Sequence, residues 1–82
     1  MTLRELLEKL PDSEAHGDTA VTIGALTCDS RAVSPGTLFF ALRGTQVDGH
    51  SYIERAVAAG AAAVVLEDAA SAPAGLPWIK VP

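Results

Sequence analysis

Cysteine is nearly absent from this 82-residue chain, which holds Cys28 alone. A single thiol excludes an internal disulfide framework and any Cys-x-x-Cys metal site, and it agrees with a reducing compartment. Basic residues are also few, six against ten acids, for a formal net charge of −4. No basic run exists to meet a phosphate backbone or an anionic bilayer, so neither a nucleic-acid nor a membrane partner is expected. Long apolar stretches are missing too. The longest runs from Ala56 to Leu66 with Gly60 included, about half of the roughly 20 residues a membrane span needs. The opening Met1-Thr2-Leu3-Arg4-Glu5 is unlike a signal peptide, so the expected location is the cytoplasm. Finally, the chain has no GxxxxGKS/T, GxGxxG or HExxH pattern. An enzyme containing it would keep its reactive groups elsewhere.

What is present is apolar material, 49% of the residues. That is too much for a disordered segment and enough for one small domain spanning residues 1–82, with about 60% of the unfolded chain's surface buried.

Periodicity places the elements. Thr2–Leu10 predicts a helix: Leu3, Leu6, Leu7 and Leu10 form an apolar stripe, Thr2 and Glu5 have capping-box spacing, and Pro11 ends it. Asp12–Thr19 is polar, holds Gly17 and His16, and predicts a solvated loop. Val21–Ile23 and Ala25–Cys28 predict one strand region broken or bulged at Gly24. Ser34-Pro35-Gly36 is a turn signal, with Gly36 able to take a positive φ. Thr37–Leu42 is a continuous apolar run, the pattern of a strand covered on both faces, and Arg43–Gly49 is a loop. Ser51–Ala59 predicts a helix, capped by Ser51 with Glu54 or by Asp48, with Gly60 suited to its left-handed end. Ala61–Leu66 is a second buried strand, Asp68–Pro77 a loop, and Trp78–Val81 a last strand.

Strand, helix, strand in that order is a βαβ unit. The expectation is therefore a small α/β sandwich with a mixed or parallel sheet. Ligands of such sheets bind beyond the carboxyl ends of the strands. Two polar loops leave such ends here, Asp29-Ser30-Arg31 and Arg43–Gly49.

On physical grounds alone, Ser30 reads as the cap of a turn. Asp29 reads as an acceptor for neighbouring backbone N–H groups, and Arg31 as the partner of an acid or a carbonyl. Cys28 reads as a small buried hydrophobe rather than a reactive thiol. His50 reads as a helix-start residue, and Trp78 as a packing residue. Gly49, like Gly36 and Gly60, reads as a backbone-geometry residue.

These loops also carry a resemblance. Leu26-Thr-Cys-Asp-Ser-Arg31, Val33-Ser-Pro-Gly36, Leu38-Phe-Phe-Ala41, Gly44, Asp48-Gly-His50 and Gly60-Ala-Ala-Ala-Val64 follow one another in this order. The series resembles the N-terminal domain of the Mur ligases, which build the peptidoglycan stem peptide. Leu3-Arg-Glu-Leu-Leu7 and Gly24-Ala-Leu-Thr27 look like the branch that adds the third amino acid. The branch that adds the terminal D-Ala-D-Ala dipeptide shares several elements and is the alternative, as is a non-catalytic α/β interaction module that keeps only the fold.

The resemblance implies a three-domain ligase whose first domain binds the UDP moiety of UDP-N-acetylmuramoyl-L-Ala-D-Glu. A central ATPase domain would be this domain's partner within the same chain. ATP and Mg2+ would serve the full-length enzyme, with no cofactor in this segment, which would not be catalytic alone. It further implies substrate contacts at Ser30, at the backbone of Cys28, and at Thr45, Gln46 and Val47 lining the uridine pocket. A diphosphate needs hydrogen-bond donors such as hydroxyls and backbone N–H groups, and the Ser30 hydroxyl and the amides near Gly44 and Thr45 are of that kind.

Overall fold

A computed structural model describes residues 1–10, 12–41, 52–67, 72–73 and 75–81. The elements in chain order are α1 (Leu3–Leu7), β1 (Glu14–His16), β2 (Ala25–Thr27), a 3-10 turn (Ser30–Ala32), β3 (Thr37–Ala41), α2 (Ile53–Ala58), β4 (Ala63–Leu66) and β5 (Trp78–Lys80). The five strands form one mixed sheet in the order β1-β5-β4-β3-β2. β2, β3, β4 and β5 are parallel neighbours, while β1 pairs antiparallel with β5. The βαβ unit is thus β3-α2-β4, inside an α/β domain.

Alternation of side chains along the strands divides the core into two layers. On one face Leu38, Ala63, Val65 and Ile79 pack with Leu3 and Leu6 of α1 and with Ile23. On the other, Phe39, Ala41, Val64 and Leu66 pack with Ile53 and Ala56 of α2 and with Val33. β3 and β4 are sealed on both sides, so their sequences read as unbroken apolar runs rather than alternating ones.

α1 begins as the sequence predicts. The Thr2 hydroxyl accepts the Glu5 N–H at 3.3 Å, and the Glu5 carboxylate accepts the Thr2 N–H at 3.3 Å. The helix is shorter than its leucine stripe: after Leu7 it finishes in turn bonds from Lys9 N–H to Leu6 and from Leu10 N–H to Leu7. The turn before β3 is also as predicted, with Thr37 N–H bonded to the Ser34 carbonyl at 3.1 Å and Gly36 at φ +87°.

Several expectations are corrected. Residues 14–16 are a strand, not loop. All three are exposed, and pairing with β5 defines the strand: Glu14 opposite Lys80, Ala15 opposite Ile79, His16 opposite Trp78. His16 is therefore not simply solvated, since its ring stacks on Trp78 at 4.0 Å between centroids and 11° between planes. Val21–Ile23 is not the first half of β2. It runs beside the N-terminus, where Leu3 N–H bonds the Val21 carbonyl, Ile23 N–H bonds the Met1 carbonyl, and Thr2 bridges Thr22. β4 starts at Ala63 rather than Ala61, and α2 is preceded by Tyr52, which supplies no side-chain cap. Pro11, Asp48, Gly49, His50 and Ser51 lie outside the described residues.

Candidate functional site

Parallel strands present their carboxyl ends at a common rim. β2 leaves that rim at Thr27 and its neighbour β3 leaves it at Ala41. After β2 the chain enters a bend built by short polar side chains. The Thr27 hydroxyl accepts the Asp29 N–H at 3.0 Å and turns the chain out of the strand. Asp29 then caps the 3-10 turn. Its carboxylate accepts the Arg31 N–H at 2.9 Å, and its carbonyl accepts the Ala32 N–H at 2.9 Å.

The same carboxylate holds the Arg31 guanidinium in a fork, with Nε on Oδ1 and Nη2 on Oδ2, both at 3.2 Å. Hydrogen bonds from Arg31, first from its side chain and then from its backbone, hold Asp29 below its ordinary carboxylate range. The reciprocal bond, then the charge of Asp29, raises Arg31 further. The pair is exposed, with 87% of the Arg31 side chain in solvent, so it fixes local geometry more than it adds stability. It also neutralises the one acid of this bend. Both readings made from sequence, Asp29 as a backbone acceptor and Arg31 as the partner of an acid, describe what is found.

Ser30 opens the 3-10 turn half-buried, and among the described residues no hydrogen bond engages its hydroxyl. Cys28 sits at the bend with a free, exposed thiol, not buried as expected, because the chain has already left the sheet there. Thr45, Gln46 and Val47 lie outside the described residues, as does Gly44, so Ser30 and Cys28 are the two predicted contacts that the structure brings to one bend.

The rim also gathers two residues that the sequence pattern alone did not single out. The 3-10 turn packs against α2, whose preceding residue Tyr52 is half-buried. The Arg55 guanidinium lies 5.4 Å from the centroid of the Tyr52 ring, within cation–π range. Their three-residue separation on a helix was the available signal. Among the described residues no group of three or more His, Cys, Asp or Glu is placed to hold a metal, and no helix is long and apolar enough to cross a membrane.

Comparison with known proteins bears on this geometry. Residues 22–81 match the family model described as "Mur ligase family, catalytic domain". A UDP-N-acetylmuramoyl-L-alanyl-D-glutamate--2,6-diaminopimelate ligase of Geobacter metallireducens is 49% identical over 81 residues, covering 99% of this chain and 16% of that protein. Ligases of the same name from Geobacter sulfurreducens and Geobacillus thermodenitrificans are 47% and 44% identical, over 99% and 100% of this chain and 16% of each relative. The chain thus spans about one sixth of the length of these relatives. The match takes in every strand from β2 to β5, the Asp29-Ser30-Arg31 bend and α2, and by it this chain belongs to the Mur ligase family.

Proposed function

We propose that this chain is the first domain of a longer ATP-dependent ligase and binds the uridine diphosphate end of UDP-N-acetylmuramoyl-L-Ala-D-Glu. The names of the relatives extend the reading to 2,6-diaminopimelate as the amino acid joined. The observation that carries the proposal is the Asp29-capped turn at the carboxyl rim. It offers the unengaged Ser30 hydroxyl just past the end of β2, the parallel neighbour of β3, and Thr45, Gln46 and Val47 follow β3 in the sequence. Uracil and diphosphate both need fixed hydrogen-bond partners, and a rigid scaffold carrying polar loops is how α/β sheets supply them.

Among the described residues no site for ATP or Mg2+ is built. The chain has no GxxxxGKS/T loop, and no metal-ligating cluster occurs among the described residues. The role of this domain is anchoring. Holding the nucleotide end restricts where the distant carboxylate of the dipeptide can lie, so binding energy made at this domain lowers the entropic cost of the reacting end. Such a domain works in the cytoplasm, which agrees with a lone free thiol.

Ser30→Ala in the intact ligase tests this. A lost hydrogen bond to a charged group is worth about 1.5–3 kcal/mol, so KM for the UDP substrate should rise about tenfold or more while kcat changes little. An unchanged KM would remove Ser30 from the site. A crystal soaked with UDP that showed the nucleotide away from this rim would end the proposal.

A further inference from the structure

We propose that β1 is a docking edge for a second copy of this chain, the two β1 strands pairing antiparallel about a twofold axis at Ala15. The proposal is independent of the UDP reading above. β1 ends the sheet, and among the described residues no strand pairs with its outer side. Its residues are all exposed, and none joins either core layer. Burial therefore does not explain the strand, yet it is fixed in place. The His16 ring stacks on Trp78 at 4.0 Å between centroids. Gly17, at φ +93°, lies so close to Pro77 that an added Cβ would stand 2.8 Å from the Pro77 Cα. An edge held in this way presents backbone N–H and C=O groups to a partner with little further ordering cost.

Charge selects the occupant and the register. Glu14 and His16 share one face of β1, 3.8 Å apart, and Lys80 and Trp78 of β5 stand opposite them. In an antiparallel pair of identical strands centred on Ala15, Glu14 of each copy faces the partner's His16, and the small Ala15 faces itself. Slipping the pair by two residues sets Glu14 against Glu14 or His16 against His16, and an in-register parallel pair does both. Like charges placed opposite one another disfavour all of these. An edge bearing charge of one sign keeps copies apart. Glu14 and protonated His16 bear both signs, in an order that becomes complementary when the strand is reversed. So short a strand buries far less than the 1,200 Å² or so of a stable interface, so the association is weak and concentration-dependent.

Sedimentation velocity of the intact ligase tests this at about pH 6, where an ordinary imidazole is mostly protonated. The wild type should pass from monomer toward dimer as its concentration rises into the high-micromolar range. Glu14→Lys and His16→Glu each set like charges opposite one another at both ends of the symmetric pair. Each should raise the dimer dissociation constant about tenfold or more. An equimolar mixture of the two variants should regain wild-type association. There the lysine introduced at position 14 faces the glutamate introduced at position 16, and the unaltered His16 faces the unaltered Glu14. Such recovery also shows that both variants are folded. A wild type that stays monomeric overturns the proposal. So does association that neither substitution weakens, or a mixture that stays dissociated while each variant keeps the wild-type far-UV circular dichroism.

Discussion

Two glycines with nearly the same backbone conformation allow packing to be separated from strain. Gly36 lies at φ +87° before β3, and Gly60 at φ +103° after α2. The two turns touch: the Gly36 N–H donates to the Gly60 carbonyl at 3.3 Å. A Cβ added at Gly36 would meet nothing within 4 Å, whereas one added at Gly60 would lie 3.1 Å from the Cα, Cγ and N of Pro35. Alanine at either site suffers the left-handed penalty of about 1–2 kcal/mol, offset by about 0.4–1 kcal/mol of lost freedom in the unfolded chain. Gly36→Ala should therefore cost about 1 kcal/mol. Gly60→Ala adds crowding against backbone atoms that cannot rotate away, worth about 1–3 kcal/mol for overpacking, for about 2–4 kcal/mol in all. Against about 4–12 kcal/mol for 82 residues, the second is a large fraction. Urea denaturation of the three proteins decides the matter, with thermal midpoints falling about 4–8 °C per kcal/mol in a domain of this size. Equal losses at the two sites, or a greater one at Gly36, would show that the Gly60–Pro35 approach does not constrain the packing of α2 on the turn before β3.

The same structure sets three further outcomes. Phe39→Ala, at a fully buried position of β3, should cost about 3–5 kcal/mol, and Phe40→Ala, at a half-buried one, distinctly less by the same denaturation assay. Thr2→Ala removes the hydroxyl that accepts the Glu5 N–H and donates to the Glu5 carboxylate, and should cost about 1 kcal/mol, with Ser at this position retaining most of it. Asp29 titrates below its ordinary value near 3.8 because Arg31 bonds it. Its contribution to stability is therefore complete above that value and is lost as pH falls through the lower folded value. NMR titration of the Asp29 carboxyl carbon should show its midpoint moving up toward 3.8 in Arg31→Gln, and an unmoved midpoint would refute the assigned cause.

Much of the fold was written locally. The leucine spacing and the Thr2–Glu5 pair specified α1, Ser34-Pro35-Gly36 specified its turn, and the runs 37–42 and 61–66 marked the two strands sealed on both faces. Composition set the limits: one thiol, few cations and no nucleotide-triphosphate loop. The Asp29-Ser30-Arg31 bend was legible because its bonds join residues two positions apart. β1 was invisible because Glu14, Ala15 and His16 have no strand preference and bury nothing; their pairing to β5 comes from more than 60 residues along the chain. Val21–Ile23 looked like a strand, but its partner is the N-terminal segment, on a face that only the folded sheet defines. The exposure of Cys28 and the packing of the 3-10 turn on α2 have the same origin. They depend on where β2 stops and how α2 lies across the sheet, and no short stretch of sequence encodes a contact between elements whose positions are set by the shared core.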